Sequence, residues 1–211
     1  MPIGGAQMLR GGAIGRLLLG LGCVALWLAA APAARAASLY HIDQRYGTIE
    51  FTVSNLGLFT TKGRFTRFTG ELQIDPDHPE RTHVEVTIDG NSVDMPLKDE
   101  VDMLRSPDYF NTARFPTQHF ISSSVETVSP SHYIIHGTLQ IRGVTSPQDL
   151  NADMTERHVD EARHVEWADF VITGRMRRSV FGMVADPNMV SDNVSLDIRI
   201  RLTVEVAPKT G

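Results

Sequence analysis

Acidic side chains are missing from the first 36 residues of the 211-residue chain, although the whole chain carries 25 of them. The same stretch contains three arginines and an apolar run over residues 17–31, which ends in a proline- and alanine-rich segment. This run is shorter than the ~20 residues that a membrane-spanning helix needs. Ala34 and Ala36 supply the small residues that precede a cleavage site. The layout predicts a secretory signal peptide at residues 1–36 and export to the periplasm.

Cysteine is almost absent, because Cys23 is the single one and lies inside the predicted signal peptide. Gly20 stands where a lipoprotein attachment site would have a branched apolar residue, so we predict no lasting membrane anchor. The mature chain, residues 37–211, would have no disulfide and no thiolate. Its stability must come from its core, and one domain of this length buries roughly 70% of its unfolded surface.

Basic residues are in the minority, since removal of the signal peptide leaves 17 of them against 25 acidic residues, a net charge of −8. Nucleic-acid binding requires clustered lysine and arginine, so we predict no nucleic-acid partner.

Motifs for catalysis and metal binding are also lacking. There is no Gly-x-Ser-x-Gly elbow. His132 and His136 are four residues apart, which on a strand separates them by about 13 Å. Asp75 and Asp77 begin like a calcium loop, but prolines interrupt it. We predict a non-enzymatic protein without metal or cofactor, and keep a hydrolase with a dispersed Ser/His/Asp site as an alternative.

The chain does contain a period-two alternation of apolar and polar residues, which is typical of half-buried strands. The clearest example is residues 194–206, and a parity slip between Phe65 and Phe68 predicts a bulge. Eight or nine strands are predicted, separated by turns that include residues 75–77, 129–131, 145–147 and 186–188, with residues 148–154 as a short strand.

One stretch departs from the strand pattern: residues 96–110 have helical spacing, which predicts a helix followed by a turn around residues 106–108. Because consecutive antiparallel strands must hide their edges, we predict an all-β fold, a closed antiparallel eight-stranded barrel with a short helical insertion. Such a barrel is wide enough to hold one small ligand.

Phenylalanine is frequent on the predicted inner faces, at Phe51, Phe65, Phe68, Phe120 and Phe181. The pattern fits two interpretations. Either the barrel has an ordinary filled core, as in a structural or stress-response interaction module, or its interior is an apolar pocket for a long lipid.

Several motifs occur in a fixed order over some 140 residues: Tyr40-His41-Ile42-Asp43, Ile49 to Val53, Gly63 to Gly70, Leu104 to Phe110, Phe115 to Phe120, Gly137 to Thr145, and Arg178 to Met183. Their order and spacing resemble the YceI-like family, which is known for lipocalin-like barrels that bind polyisoprenoid lipids. This chain has Asn55 where the family often has histidine, and Val180 where an acid is common.

The resemblance implies periplasmic sequestration or transport of an isoprenoid or other long-chain lipid, such as a polyprenol, a polyprenyl phosphate or a quinone. Arg105 and Arg178 are tentative head-group ligands, with a tether between helix and barrel as the alternative. If the protein oligomerises, a homodimer is the commonest form. The predicted lipid-binding residues are Phe51, Val53, Phe65, Phe68, Leu72, Leu104, Phe110, Phe115, Phe120, Leu139, Ile141, Phe181 and Met183.

Overall fold

A computed structural model describes residues 38–75 and 78–205, so the predicted signal peptide and the end of the alternation at Val206 lie outside the described residues. One α-helix, α1, spans Lys98–Arg105. The eleven strands are β1 Ser38–Ile42, β2 Thr48–Asn55, β3 Phe59–Phe65, β4 Phe68–Ile74, β5 His83–Asp89, β6 Val93–Asp94, β7 Thr117–Ser129, β8 His132–Ile141, β9 Val144–Asp160, β10 Val165–Arg177 and β11 Val190–Glu205.

The sheet closes on itself. Its antiparallel pairings run β1-β4-β5-β7-β8-β9-β10-β11, and β11 pairs back to β1. Three of these strands are extended toward the same end of the barrel: β1 by β2, β4 by β3, and β5 by β6. The extensions also pair, since β2 pairs with β11 and β3, and β3 pairs with β6. The eleven segments therefore make eight strands in sequential order, three of which consist of two segments each, and this confirms the predicted closed eight-stranded antiparallel barrel.

The breaks between these segments have local causes. A short 3-10 helix at Gln44–Tyr46 separates β1 from β2, where the Asp43 side chain accepts a hydrogen bond from the Arg45 N–H. The predicted bulge between Phe65 and Phe68 is wrong. Residues 66–67 instead leave the ladder and bond to Ser92, whose carbonyl and hydroxyl accept from the N–H groups of the two residues.

The turn predicted at residues 145–147 is also wrong, because these residues belong to β9. The chain reverses at Arg142 and Gly143, whose φ values of +52° and +75° are both left-handed. Two consecutive left-handed residues make the tight hairpin turn whose twist matches the flanking strands. β9 is therefore 17 residues long, in place of the short strand predicted at residues 148–154.

The predicted helix lies within residues 96–110 and spans only 98–105, and the turn predicted around residues 106–108 follows it. The helix ends before Ser106, which is extended, with ψ of 166°. The next residue is Pro107, and proline disfavours helical geometry in the residue before it. Residues 106–116 then cross to β7 through a series of turns. No helix in the described part of the chain has the length and apolar character needed to cross a membrane.

Four connections lie at one end of the barrel: the β2–β3 hairpin, the α1 segment, the β8–β9 turn and the β10–β11 loop. Arg142 of the β8–β9 turn donates to the Tyr109 and Gly182 carbonyls, and the Leu56 N–H donates to the Met189 carbonyl. We call this the helix end. The strand faces that point inward form the hydrophobic core, which includes Phe51, Phe120, Leu139 and Ile200.

Candidate lipid cavity

The barrel interior contains a cavity of about 440 Å³. This volume falls in the ~300–1,000 Å³ range of small-molecule sites. Three lining residues are also strongly exposed, namely Leu56 at 59%, Met103 at 43% and Met189 at 56%. They belong to the β2–β3 turn, α1 and the β10–β11 loop, so the cavity meets solvent at the helix end.

The half of the cavity away from α1 is lined by buried apolar side chains: Leu72, Val84, Ile135, Leu150, Ile172 and Ile200. These residues come from β4, β5, β8, β9, β10 and β11, and each points inward by the period-two alternation of its strand. The deep half can therefore receive an apolar chain without stripping water from polar groups of the wall.

Most of the predicted lipid-binding residues lie on the cavity wall. Eleven of the thirteen line it: Phe51, Val53, Phe65, Phe68, Leu72, Leu104, Phe110, Phe120, Leu139, Ile141 and Met183. The rings of Phe51, Phe65 and Phe110 pack with centroids 5.4 to 6.2 Å apart. This cluster joins the segment after α1 to the barrel wall at β2 and β3.

The other two predicted residues lie elsewhere. Phe115 is half-buried and packs over Gly143, where a Cβ atom would come within 3.1 Å of its ring. Phe181 is 3% exposed and ends the 3-10 helix Arg178–Phe181 within the hydrophobic core. Both phenylalanines therefore pack the connections at the helix end and do not line the cavity.

The two predicted head-group arginines bond to main-chain carbonyls. Arg178 is 5% exposed and touches the cavity, but its Nε, Nη1 and Nη2 donate to the carbonyls of Ser191, Met183 and Val190 at 3.1, 2.9 and 2.9 Å. Arg105 lies off the cavity and donates to the Asn91 carbonyl at 2.6 Å. Arg105, on α1, fits the alternative role of a tether between helix and barrel, whereas Arg178 joins the β10–β11 loop to the start of β11 and does not contact the helix through these bonds.

The sequence analysis overlooked the residue that attaches the α1 segment to the barrel. Arg142 Nη1 donates to the carbonyls of Asp108, Tyr109 and Gly182 at 3.4, 2.7 and 3.1 Å. One guanidinium thus joins the β8–β9 turn to the segment after α1 and to the β10–β11 loop. No motif signals this role, because it depends on connections more than 30 residues apart.

A second link at the cavity wall joins Tyr109 to Asp186. The tyrosine hydroxyl donates to the aspartate Oδ2 at 2.8 Å, and both residues line the cavity. Burial, followed by the hydrogen bond and the negative charge of Asp186, raises the pKa of Tyr109 to about 12. The neutral hydroxyl is therefore the stable form over the physiological pH range.

Several polar residues line the cavity beside the apolar ones, including Asn55, Thr61, Gln118 and Gln148. Gln118 has the same strand parity as the predicted Phe120, so alternation could have identified it. Gln148 Nε2 donates to the carbonyls of Asp149 and Arg175. Among the residues that the structure describes, the charged side chains on the wall are Glu100, Arg178 and Asp186.

The histidines predicted to be too far apart for one metal ion have separate partners. His132 bonds to Asp153 at 2.7 Å and His136 to Asp149 at 2.8 Å, both between β8 and β9. Hydrogen bonding to Asp149 raises the pKa of His136. Over residues 38–75 and 78–205, no three histidine, cysteine, aspartate or glutamate side chains are grouped as a metal site would need.

An up-and-down barrel of eight strands around an apolar cavity has the architecture of lipocalin-like proteins. The model of the YceI-like domain matches residues 40–202, and the chain belongs to that family. It is 35% identical over 169 residues to a UPF0312 protein of Shewanella denitrificans, covering 79% of this chain and 88% of the relative. A UPF0312 protein of Shewanella baltica is 33% identical over 170 residues, covering 80% and 88%.

Solved structures share the fold at lower identity. BcnA of Burkholderia cenocepacia has a TM-score of 0.68 at 20% identity, covering 76% of this chain and 98% of BcnA. The YCEI protein of Campylobacter jejuni has a TM-score of 0.62 at 23% identity, covering 68% and 85%. A polyisoprenoid binding domain from Saccharophagus degradans has a TM-score of 0.57 at 17% identity, covering 78% and 98%.

Proposed function

We propose that this protein binds a long-chain isoprenoid or a similar amphiphilic lipid in its barrel and holds it in the periplasm, without catalysis. The observation that carries the proposal is the cavity itself. It is enclosed by a closed barrel, apolar over its deep half and open at the helix end. A filled core, as in a structural module, would leave no such space.

The energetics suit a lipid that is insoluble in water. Burying ~600 Å² of apolar ligand surface gains on the order of 15 kcal/mol gross. Ordering the chain and losing translational freedom remove much of that gain. A rigid barrel whose wall is already formed reduces the ordering cost on the protein side, which favours tight binding.

The similar structures support the same ligand class, since one of them is described as a polyisoprenoid binding domain. Our proposal extends that chemistry to this chain on the strength of the apolar wall. The apolar deep half also supports a binding role, because it offers no side chain to serve as an acid, base or nucleophile.

Mass spectrometry of organic extracts from the purified protein tests the proposal. We expect a long-chain lipid in the extract, or uptake of added polyprenol or quinone by the extracted protein. Repeated absence of any such lipid, together with no uptake, would overturn the proposal.

A pair of neighbouring isoleucines provides matched variants. Ile135 is 8% exposed and lines the deep half, whereas Ile134 lies on the opposite face of β8. We expect Ile135→Phe to shorten the cavity and weaken binding of long polyprenols about tenfold, with a smaller effect on short ones. Ile134→Phe should bind as the wild type does, and equal effects of the two changes would contradict an internal site.

Export has its own test. Expression of the full chain in a Gram-negative host, followed by periplasmic extraction and N-terminal sequencing, should yield a protein that begins at Ala37. Retention of residues 1–36 in a cytoplasmic fraction would contradict the periplasmic part of the proposal.

A further inference from the structure

Gln118 carries a buried hydrogen-bond donor that has no partner. The residue is 4% exposed, lies on β7 beside Ile88 of β5 and lines the cavity. Its Nε2 finds no acceptor in the described part of the protein. Buried amide groups are nearly always paired, because an unpaired donor forfeits its hydration. On a cavity wall, such a free donor is open to an acceptor that arrives with a ligand.

The second glutamine on the wall is paired, so the unpaired amide is specific to the position of Gln118 and is not common to the glutamines of this wall. Gln148 Nε2 has two carbonyl acceptors, those of Asp149 and Arg175, so its donor is already used by the fold. Gln118 Nε2 has no such acceptor among the residues that the structure describes. Its donor stays available to whatever enters the barrel.

The charges around the cavity determine whether the amide of Gln118 is better suited to a charged or to an uncharged acceptor. Of the charged side chains on the described wall, the carboxylates of Glu100 and Asp186 outnumber the single guanidinium, that of Arg178, whose Nε, Nη1 and Nη2 each donate to a main-chain carbonyl. A phosphate that enters the cavity would give up hydration near two carboxylates and only one guanidinium, which already holds three carbonyls, so the charges of the wall do not favour it. An uncharged oxygen does not carry that cost.

We propose that Gln118 Nε2 donates a hydrogen bond to an uncharged hydroxyl, carbonyl or ether oxygen of the bound lipid. Gln118 is then a specificity-determining residue, and the cavity prefers uncharged oxygenated lipids over both phosphorylated lipids and plain hydrocarbons. This inference rests on the proposed lipid-binding function and narrows it. Of the three lipid classes that the family resemblance implies, it disfavours the polyprenyl phosphate.

The test uses three ligands: geranylgeraniol, geranylgeranyl monophosphate, and phytane, a hydrocarbon of the same carbon number. Their affinities are measured for the wild type, Gln118→Leu and the control Gln140→Leu. Gln140 lies on β8 and bonds outside the cavity to Thr145. The control removes the same amide from a strand surface that does not line the cavity.

We expect the wild type to bind the alcohol about threefold to tenfold more tightly than the hydrocarbon, which is the range of one neutral hydrogen bond. The phosphate should bind at least tenfold more weakly than the alcohol. Gln118→Leu should lose the preference for the alcohol over the hydrocarbon, and Gln140→Leu should keep it. Without ligand, Gln118→Leu should unfold at the same denaturant concentration as the wild type or higher, because it removes an unpaired buried donor.

Each other outcome has a defined meaning. If Gln118→Leu still prefers the alcohol, or if the wild type binds the phosphate as tightly as the alcohol, the role of Gln118 is overturned while lipid binding stands. If the wild type binds none of the three ligands, both this inference and the proposed function fail.

Discussion

At the scale of single residues, Tyr109 and Asp186 show how one hydrogen bond can close a cavity wall. The tyrosine comes from the segment after α1 and the aspartate from the β10–β11 loop, 77 residues later. Tyr109 is 6% exposed, so the pair is shielded from water on the tyrosine side. Loss of the hydroxyl leaves the aspartate without this donor.

We predict that Tyr109→Phe lowers the free energy of unfolding by about 1.5–2 kcal/mol at neutral pH, the lower part of the range for a hydrogen bond to a charged group, because Asp186 is exposed. The pKa of the tyrosine is raised from 10 to about 12 in the fold, mainly by burial. Its contribution is therefore complete below pH ~10 and lost as the pH rises through ~12. Urea unfolding at about pH 8 and pH 11.5 should show the gap between variant and wild type shrinking, and an unchanged gap would contradict this assignment.

Neighbouring residues of one strand can have opposite environments, and Phe120 and Ile121 of β7 are an example. Phe120 is 6% exposed and lines the cavity, while Ile121 is 42% exposed. The difference follows from the alternation of side chains along a strand.

We predict that Phe120→Asp lowers the free energy of unfolding by about 3 kcal/mol or more, because it places an unpaired carboxylate in an apolar interior. It should also abolish lipid uptake. Ile121→Asp, its neighbour on the outer face, should cost less than about 1 kcal/mol and leave uptake intact. Thermal or denaturant unfolding measures both changes, and similar losses would show that Phe120 does not face the interior.

At the scale of secondary-structure elements, the segment between β6 and β7 covers the helix end with little regular structure. It contains α1, of eight residues, and a run of turns that follows it. So short a helix is not stable by itself. Its place depends on the aromatic cluster with Phe110 and on the three carbonyls that Arg142 binds.

We predict that Arg142→Ala loosens this cover without unfolding the barrel. Loss of about 1 kcal/mol of local stability corresponds to about fivefold faster hydrogen exchange. The amides of Phe110, Asn111 and Thr112, which bond within the cover, should exchange faster. Amides of β10 and β11 should keep their protection. Mass-spectrometric hydrogen exchange measures this, and uniform acceleration over the chain would indicate global destabilisation instead.

At the scale of the whole molecule, the barrel is a closed sheet around unfilled space. Closure removes the exposed strand edges that would otherwise pair with other chains. The apolar wall, in contrast, contributes less packing energy than a filled core, because the atoms that face the cavity lack neighbours on one side. A bound lipid would supply those contacts, so stability and occupancy should be coupled.

We predict that removal of lipid lowers the melting temperature. A ligand at one hundred times its Kd stabilises a protein by about 2.7 kcal/mol. For a domain of this size, that corresponds to a rise of about 5–10 °C. Calorimetry of organically extracted protein, with and without added polyprenol, measures the shift. Ile135→Phe should show a smaller shift than Ile134→Phe, and a melting temperature independent of added lipid would contradict the coupling.

The sequence alone determined the barrel, the inward faces of its strands and the family, because these depend on local alternation and on motif order. Eleven of the thirteen lipid-binding residues that it predicted lie on the cavity wall, including Phe51 and Phe120. Only the tertiary structure decided which strands bend and which residues join distant connections. The pattern at Thr66 and Arg67 predicts a bulge, and only their hydrogen bonds to Ser92, 26 and 25 residues later, show that the ladder is interrupted there. Arg178 was predicted to contact a head group but donates to main-chain carbonyls. The unpaired amide of Gln118 is likewise visible only in the structure. Such roles depend on partners brought together by closure of the sheet, and no local pattern encodes them.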